Sequence, residues 1–161
     1  MTILAIAGFL VATTFAVNCL LFDPRTGLSD YDQSVAPWRD SYTSFFPKPI
    51  PVEASQVRYF HRPAMMQGGE HIQLRMVLPA ASVRNIQADA VRNALSRTAG
   101  MRPGDDRKEL MPRPGGVKGH ADYQVFVLNS SRTEDNWNHY LESGVAVSTK
   151  YNEVVYWFEN W

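Results

Sequence analysis

Cysteine is almost missing from this chain: 161 residues contain one, Cys19. It sits inside an apolar stretch, so nothing downstream can form an intrachain disulfide or a thiolate zinc centre. An excess of charge of either sign is missing as well. Sixteen Lys and Arg balance sixteen Asp and Glu, and a chain without a basic field has little to gather phosphates, which argues against a nucleic-acid partner. No phosphate-cradling glycine motif is present, since Gly68-Gly69 and Gly115-Gly116 read as turns. No nucleophile stands in a recognisable catalytic setting, and neither cofactor nor metal is expected.

What the chain has in abundance comes first. Thr2 to Phe22 is a run of 21 residues without a charge, closed by Asp23-Pro24-Arg25. As a helix of about 1.5 Å per residue it would measure about 31 Å, the thickness of a bilayer core. No Lys or Arg precedes it and no small-x-small cleavage site follows, so the sequence predicts an uncleaved transmembrane anchor over residues 1–22 rather than a secretory signal. Ala5, Gly8, Ala12 and Ala16 form a stripe of small residues along that helix, where a helix of an integral membrane partner could approach closely. Arg25 taken literally would hold the bulk of the chain in the cytoplasm. One arginine is a weak vote, and a domain rich in Trp, Tyr, Asn, Ser and Pro suits the extracytoplasmic side, so a single-pass protein with its soluble domain outside is the expectation.

Residues 23–56 are predicted to be a juxtamembrane linker with an amphipathic aromatic helix. Val35, Trp38, Tyr42, Phe45 and Phe46 share one face at helical spacing, with Ser34 as cap, Pro37 in the first turn and Pro47 as the stop. Such a face could rest on the lipid bilayer or dock on a partner subunit. Pro47-Lys48-Pro49-Ile50-Pro51 then reads as a stiff extended spacer.

Residues 57–161 read as a soluble α+β domain, a small mainly antiparallel sheet with one principal packed helix. Strands are expected at Val57–Arg62 and His71–Leu78, the second alternating cleanly through Ile72, Leu74, Met76 and Leu78. A helix is expected from Ser82 to Ala99, with Val83, Ile86, Ala90, Ala94 and Leu95 as its apolar stripe and Gly100 beyond its end. After the Pro- and Gly-rich stretch to Ala121, strands follow at Tyr123–Leu128, Val145–Thr149 and Val154–Phe158. Thr133–Leu141 reads as a short helix or a turn.

Candidate sites are few. Arg58, Arg62 and Arg75 would share the outer face of the first hairpin, where guanidiniums can grip an acidic partner. Trp157 and Trp161 close an aromatic C-terminus of the kind enriched at interfaces. His61, Glu70 and His71 could suit a metal, although their spacing matches no strong motif. The expected function is a non-catalytic, membrane-anchored accessory subunit of a larger complex. The alternative is an anchored binding or inhibitor module using the arginine face or the 100–121 loop, and a metal-dependent enzyme comes third.

Overall fold

The computed structural model describes residues 26–64, 69–99, 122–135 and 139–161. Its frame is one six-stranded sheet: β1 (Ser55–Arg62), β2 (Glu70–Val77), β3 (Ser96–Ala99), β4 (Gln124–Ser130), β5 (Leu141–Ser148) and β6 (Glu153–Asn160). The order across the sheet is β1-β2-β6-β5-β4-β3, and every neighbouring pair is antiparallel. Two helices accompany it, α1 (Tyr31–Val35) and α2 (Ala80–Asn93).

Alternation decides which side chains meet. Cross-strand partners point to the same face, so the pairs Ile72↔Phe158, Leu74↔Tyr156 and Met76↔Val154 put one apolar row over the centre of the sheet. Val145 and Val147 extend that row through β5, with Phe126 beyond on β4 and Tyr59 on β1. Ile72, Leu74, Met76, Phe126, Val154 and Phe158 are completely buried. Val83 and Ala90 of α2 cover one part of this face, and Tyr31, Val35 and Phe46 of the N-terminal segment cover another. The opposite face carries a second apolar cluster built from Tyr123, Val125, Val127, Ala146, Val155 and Trp157.

This architecture corrects the expected one. The sequence predicts a spanning helix followed by a small mainly antiparallel sheet with one principal packed helix; the described fold is a six-stranded antiparallel sheet with two short helices. Among the described residues no helix is long and apolar enough to cross a membrane. The longest, α2, has 14 residues, about 21 Å against the roughly 30 Å a span requires, and its exposed side carries Arg84, Asp89 and Arg92. The predicted anchor at 1–22, with its stripe of Ala5, Gly8, Ala12 and Ala16, lies outside the described residues. The described fold thus runs against the single-pass membrane expectation.

Two local expectations also change. The helix predicted to reach Ala99 ends at Asn93, because Ala94 turns extended and the Leu95 amide donates to the Val127 carbonyl at 2.8 Å. Ser96–Ala99 then pair with β4 as a strand, and Leu95, expected in the core, is 66% exposed. The helix predicted from Ser34 to Phe46 is broken into a 3-10 turn at Leu28–Asp30, α1, a 3-10 turn at Ala36–Trp38 and further turns. Pro37 explains the break, since it has no N–H to give to a carbonyl four residues back. Ser34 lies within α1, buried, instead of capping it.

Gly144 shows how tightly the sheet is closed. A side chain there would drive into the Phe126 carbonyl and the Trp157 ring, beside the bulge between Val127 and Asn129. Gly144→Ala is expected to destabilise the domain by about 3 kcal/mol or more, read as a lowered midpoint in urea.

The buried tyrosines predict an alkaline limit. Burial pushes the Tyr156 phenol up to about 12; burial raises Tyr31 further still, and burial together with Glu153 does the same for Tyr123. Folded-state values above the ordinary 10.0 mean stability that is complete below about pH 10 and lost as pH climbs toward 12. Absorbance at 295 nm and circular dichroism should show these phenols ionising only as the fold is lost. Independent ionisation of all seven tyrosines in a folded domain would contradict this.

Candidate functional site

At one end of the β1–β2 hairpin, His61 and Glu70 lie together on the α1-covered face, because Glu70 alternates with Ile72 and His61 pairs with Ile72. His61 Nε2 stands 2.9 Å from Glu70 Oε1, and its Nδ1 stands 3.0 Å from Ser34 Oγ. The Trp38 indole N–H donates to Glu70 Oε2 at 3.1 Å, and the Ser34 hydroxyl donates to the Asp30 carbonyl at 2.9 Å. Ser34 and His61 are only 7% and 6% exposed.

A serine, a histidine and a carboxylate in hydrogen-bonded line is the arrangement that activates a nucleophile in hydrolases. Here the hydroxyl is buried and shared between the Asp30 carbonyl and His61, so the set ties α1 and the following 3-10 turn to the sheet.

His71 belongs to a different group. As the next residue along β2 it faces the other side of the sheet, with Nδ1 3.2 Å from Glu159 Oε1 and Nε2 2.6 Å from the Gln73 side-chain nitrogen. The candidate set His61, Glu70 and His71 is thus divided between two faces. Among the described residues no three His, Cys, Asp or Glu side chains gather to hold a metal ion. Asp122, near the start of β4, accepts from Lys150 and Tyr151, both at 2.8 Å. The Lys150 ammonium and the Tyr151 hydroxyl hold the Asp122 carboxyl below its usual range.

The predicted aromatic face lands on the sheet. Trp38 stacks at 4.9 Å and Tyr42 at 6.2 Å from the Phe158 ring, while Phe45 and Phe46 meet Tyr156 at 6.2 and 5.6 Å. Trp38, Tyr42 and Phe45 remain half-buried, and Phe46 is buried. Trp157 is buried on the opposite face, over Gly144, and Trp161 donates its indole N–H to Glu159 at 3.0 Å. Arg58, Arg62 and Arg75 do share that opposite face: Arg58 pairs with Arg75, and Arg62 with His71. Arg75 is bound by Glu153 at 2.6 Å, and the same carboxylate accepts the Tyr123 hydroxyl at 2.6 Å.

Between the turn at residues 41–45 and α2 the sheet is left partly uncovered. A cleft of about 350 Å³ opens there, with Phe45, Ile86, Leu128, Val145 and Tyr156 as apolar walls and Asp89, Asn93 and Asn129 as polar ones. A second depression of about 360 Å³, lined by Tyr42, Leu95 and Ser130, shares Leu128 and Asn129 with it. The two lie side by side against Leu128 and Asn129 and are together termed the trough. Leu95 and Val91, at 66% and 50% exposure, are among the large apolar side chains left open to solvent, and Leu95 lines the trough itself.

Sequence reasoning missed this trough, because its walls come from residues more than 100 positions apart that no local period connects, Ser44 and Tyr156 among them. It also missed the buried acids Glu153 and Glu159. Their signal was present: Glu153, Val155, Trp157 and Glu159 alternate, which places both acids on the tryptophan side of β6. Comparisons of the chain with protein-family models, with curated proteins and with solved structures found no match, so the site is read from its own geometry.

Breaking the His61–Glu70 tether should free the N-terminal segment. His61→Ala leaves Ser34 and Glu70 without their shared partner, at a cost of about 1–3 kcal/mol. Trypsin should then cut after Arg39 markedly faster than in the unaltered chain. Equal cutting rates would show that aromatic packing alone holds the segment.

Proposed function

We propose that this chain is a non-catalytic accessory subunit that docks on a larger protein assembly, and that it receives an apolar segment of its partner in the trough between residues 41–45 and α2. The observation that carries the reading is the trough itself, a cleft walled by Phe45, Ile86 and Leu128 on a side of the sheet otherwise covered by α2 and the N-terminal segment. Its size suits one or two inserted side chains. Buried anchors of this kind supply most of the energy of an interface, with surrounding polar groups excluding water. Asp89, Asn93 and Asn129 stand where such a rim belongs. The exposed Leu95, which lines it, would be covered in the same contact.

The reading is tested by a photo-crosslinking side chain at Ser44 on the trough rim, with Lys150 at the far hairpin as control, in the native cell. The Ser44 position should capture one discrete partner protein, and Asn93→Trp, which places an indole across the opening, should reduce that capture about tenfold. The same partner captured equally from Lys150, or capture indifferent to Asn93→Trp, would overturn it.

A further inference from the structure

The polar walls of the cleft beside α2 have spent their hydrogen bonds unevenly. Ser44 donates its hydroxyl to the Ser41 carbonyl at 3.2 Å, Asn93 donates its side-chain amide to the Asp89 carbonyl at 3.0 Å, and Asn129 donates its own to Ser143 Oγ at 3.1 Å. Each gives a donor to the protein and keeps its oxygen as an acceptor. Asp89 has no donor to give; its Oδ1 is held by Arg92, three residues on, which leaves Oδ2. Asp89 and Asn93 stand four apart on one face of α2, whereas Asn129 comes from β4 and Ser44 from the turn, so these oxygens reach one cleft from three elements.

The other walls are apolar, with Phe45, Ile86, Leu128 and Val145 among them. Tyr156 also lines the cleft; it is 8% exposed, and its hydroxyl has no hydrogen-bond partner among the described residues. An apolar passage set with oxygen acceptors and one carboxylate suits a guest with a hydrocarbon stem and a cationic head. A carboxylate guest would meet Asp89 with like charge.

We propose that the cleft takes a lysine side chain of the partner protein, its stem against Phe45, Ile86 and Leu128 and its ammonium against Asp89 and the Asn93 and Asn129 oxygens. The inference rests on the docking reading above and adds the chemistry of the inserted side chain. Lysine fits better than arginine. A guanidinium binds best through two parallel bonds to one carboxylate, and Arg92 already occupies one Asp89 oxygen; an ammonium is a compact charge whose rotatable donors can each meet a separate acceptor. The Asp89 side chain is 65% exposed, so its charge selects the head more than it adds affinity, and burial of the stem supplies the docking.

The test uses the full chain, labelled with nitrogen-15, and probes that share a pentyl stem: n-pentylammonium, 1-pentanol and hexanoate. At millimolar concentration pentylammonium should shift the amides of residues 44–45, 86–93 and 128–129, with hexanoate binding about tenfold more weakly and pentanol between them. Asp89→Asn should cut the affinity for pentylammonium about fivefold and leave that for pentanol unchanged, whereas Arg92→Gln, which frees the second carboxylate oxygen, should raise it. Hexanoate binding as tightly as pentylammonium, a preference for the ammonium that survives Asp89→Asn, or no shifts at the cleft would overturn the lysine assignment. Discrete capture of a partner from Ser44 alongside any of those results would keep the docking reading and remove only the lysine.

Discussion

The pairing of β2 with β6 is the constraint on which the rest of the structure depends. Eight consecutive residues of each strand are in register, and that register sorts two chemistries onto two faces. On one side Ile72, Leu74 and Met76 meet Phe158, Tyr156 and Val154; on the other, His71, Gln73 and Arg75 meet Glu159, Trp157 and Val155. A slip of one residue would exchange the faces, burying arginine and histidine in the apolar core and leaving phenylalanine among the ion pairs. Both faces therefore penalise the same error, and the register is specified twice.

The covering layer follows from that sorting. The apolar row is wider than a 14-residue helix can shield, and the aromatic N-terminal segment takes the remaining area with Trp38, Tyr42, Phe45 and Phe46. Aromatic packing positions this segment broadly, whereas the hydrogen bonds between Ser34 and His61 and between Trp38 and Glu70 fix it at one end. At the other end, residues 41–45 and α2 do not meet across the sheet, and the trough is the gap between them. The feature proposed to bind a partner is thus a consequence of how two unequal elements share one floor.

Much of the sheet was legible in the sequence, and particular residues show why. Ile72, Leu74 and Met76 alternate without interruption, and Val154 to Phe158 carry branched and aromatic side chains between turn residues, so both central strands are visible locally. Ser96–Ala99 were not, because Leu95 fits the helical stripe of Val83, Ile86 and Ala90. Only the distant Val127 carbonyl, which takes the Leu95 amide, reveals that the backbone has left the helix. The aromatic spacing of residues 35–46 found the right face but not the right conformation, since Pro37 divides it. The Ser34–His61 contact spans 27 residues and Trp38–Glu70 spans 32, distances at which no periodicity speaks. The three arginines were placed on one face by alternation alone, while the fate of Arg75 depended on Glu153, 78 residues away.

On the function proposed, the trough beside α2 is where a partner would hold this chain. Hydrogen exchange of the chain alone, compared with the chain isolated together with its partner, tests it most directly. Protection should rise at residues 41–46, 89–95 and 128–130, with little change in the already buried strands β5 and β6. Protection that leaves those three segments unchanged and rises only around the 148–153 hairpin would contradict the account.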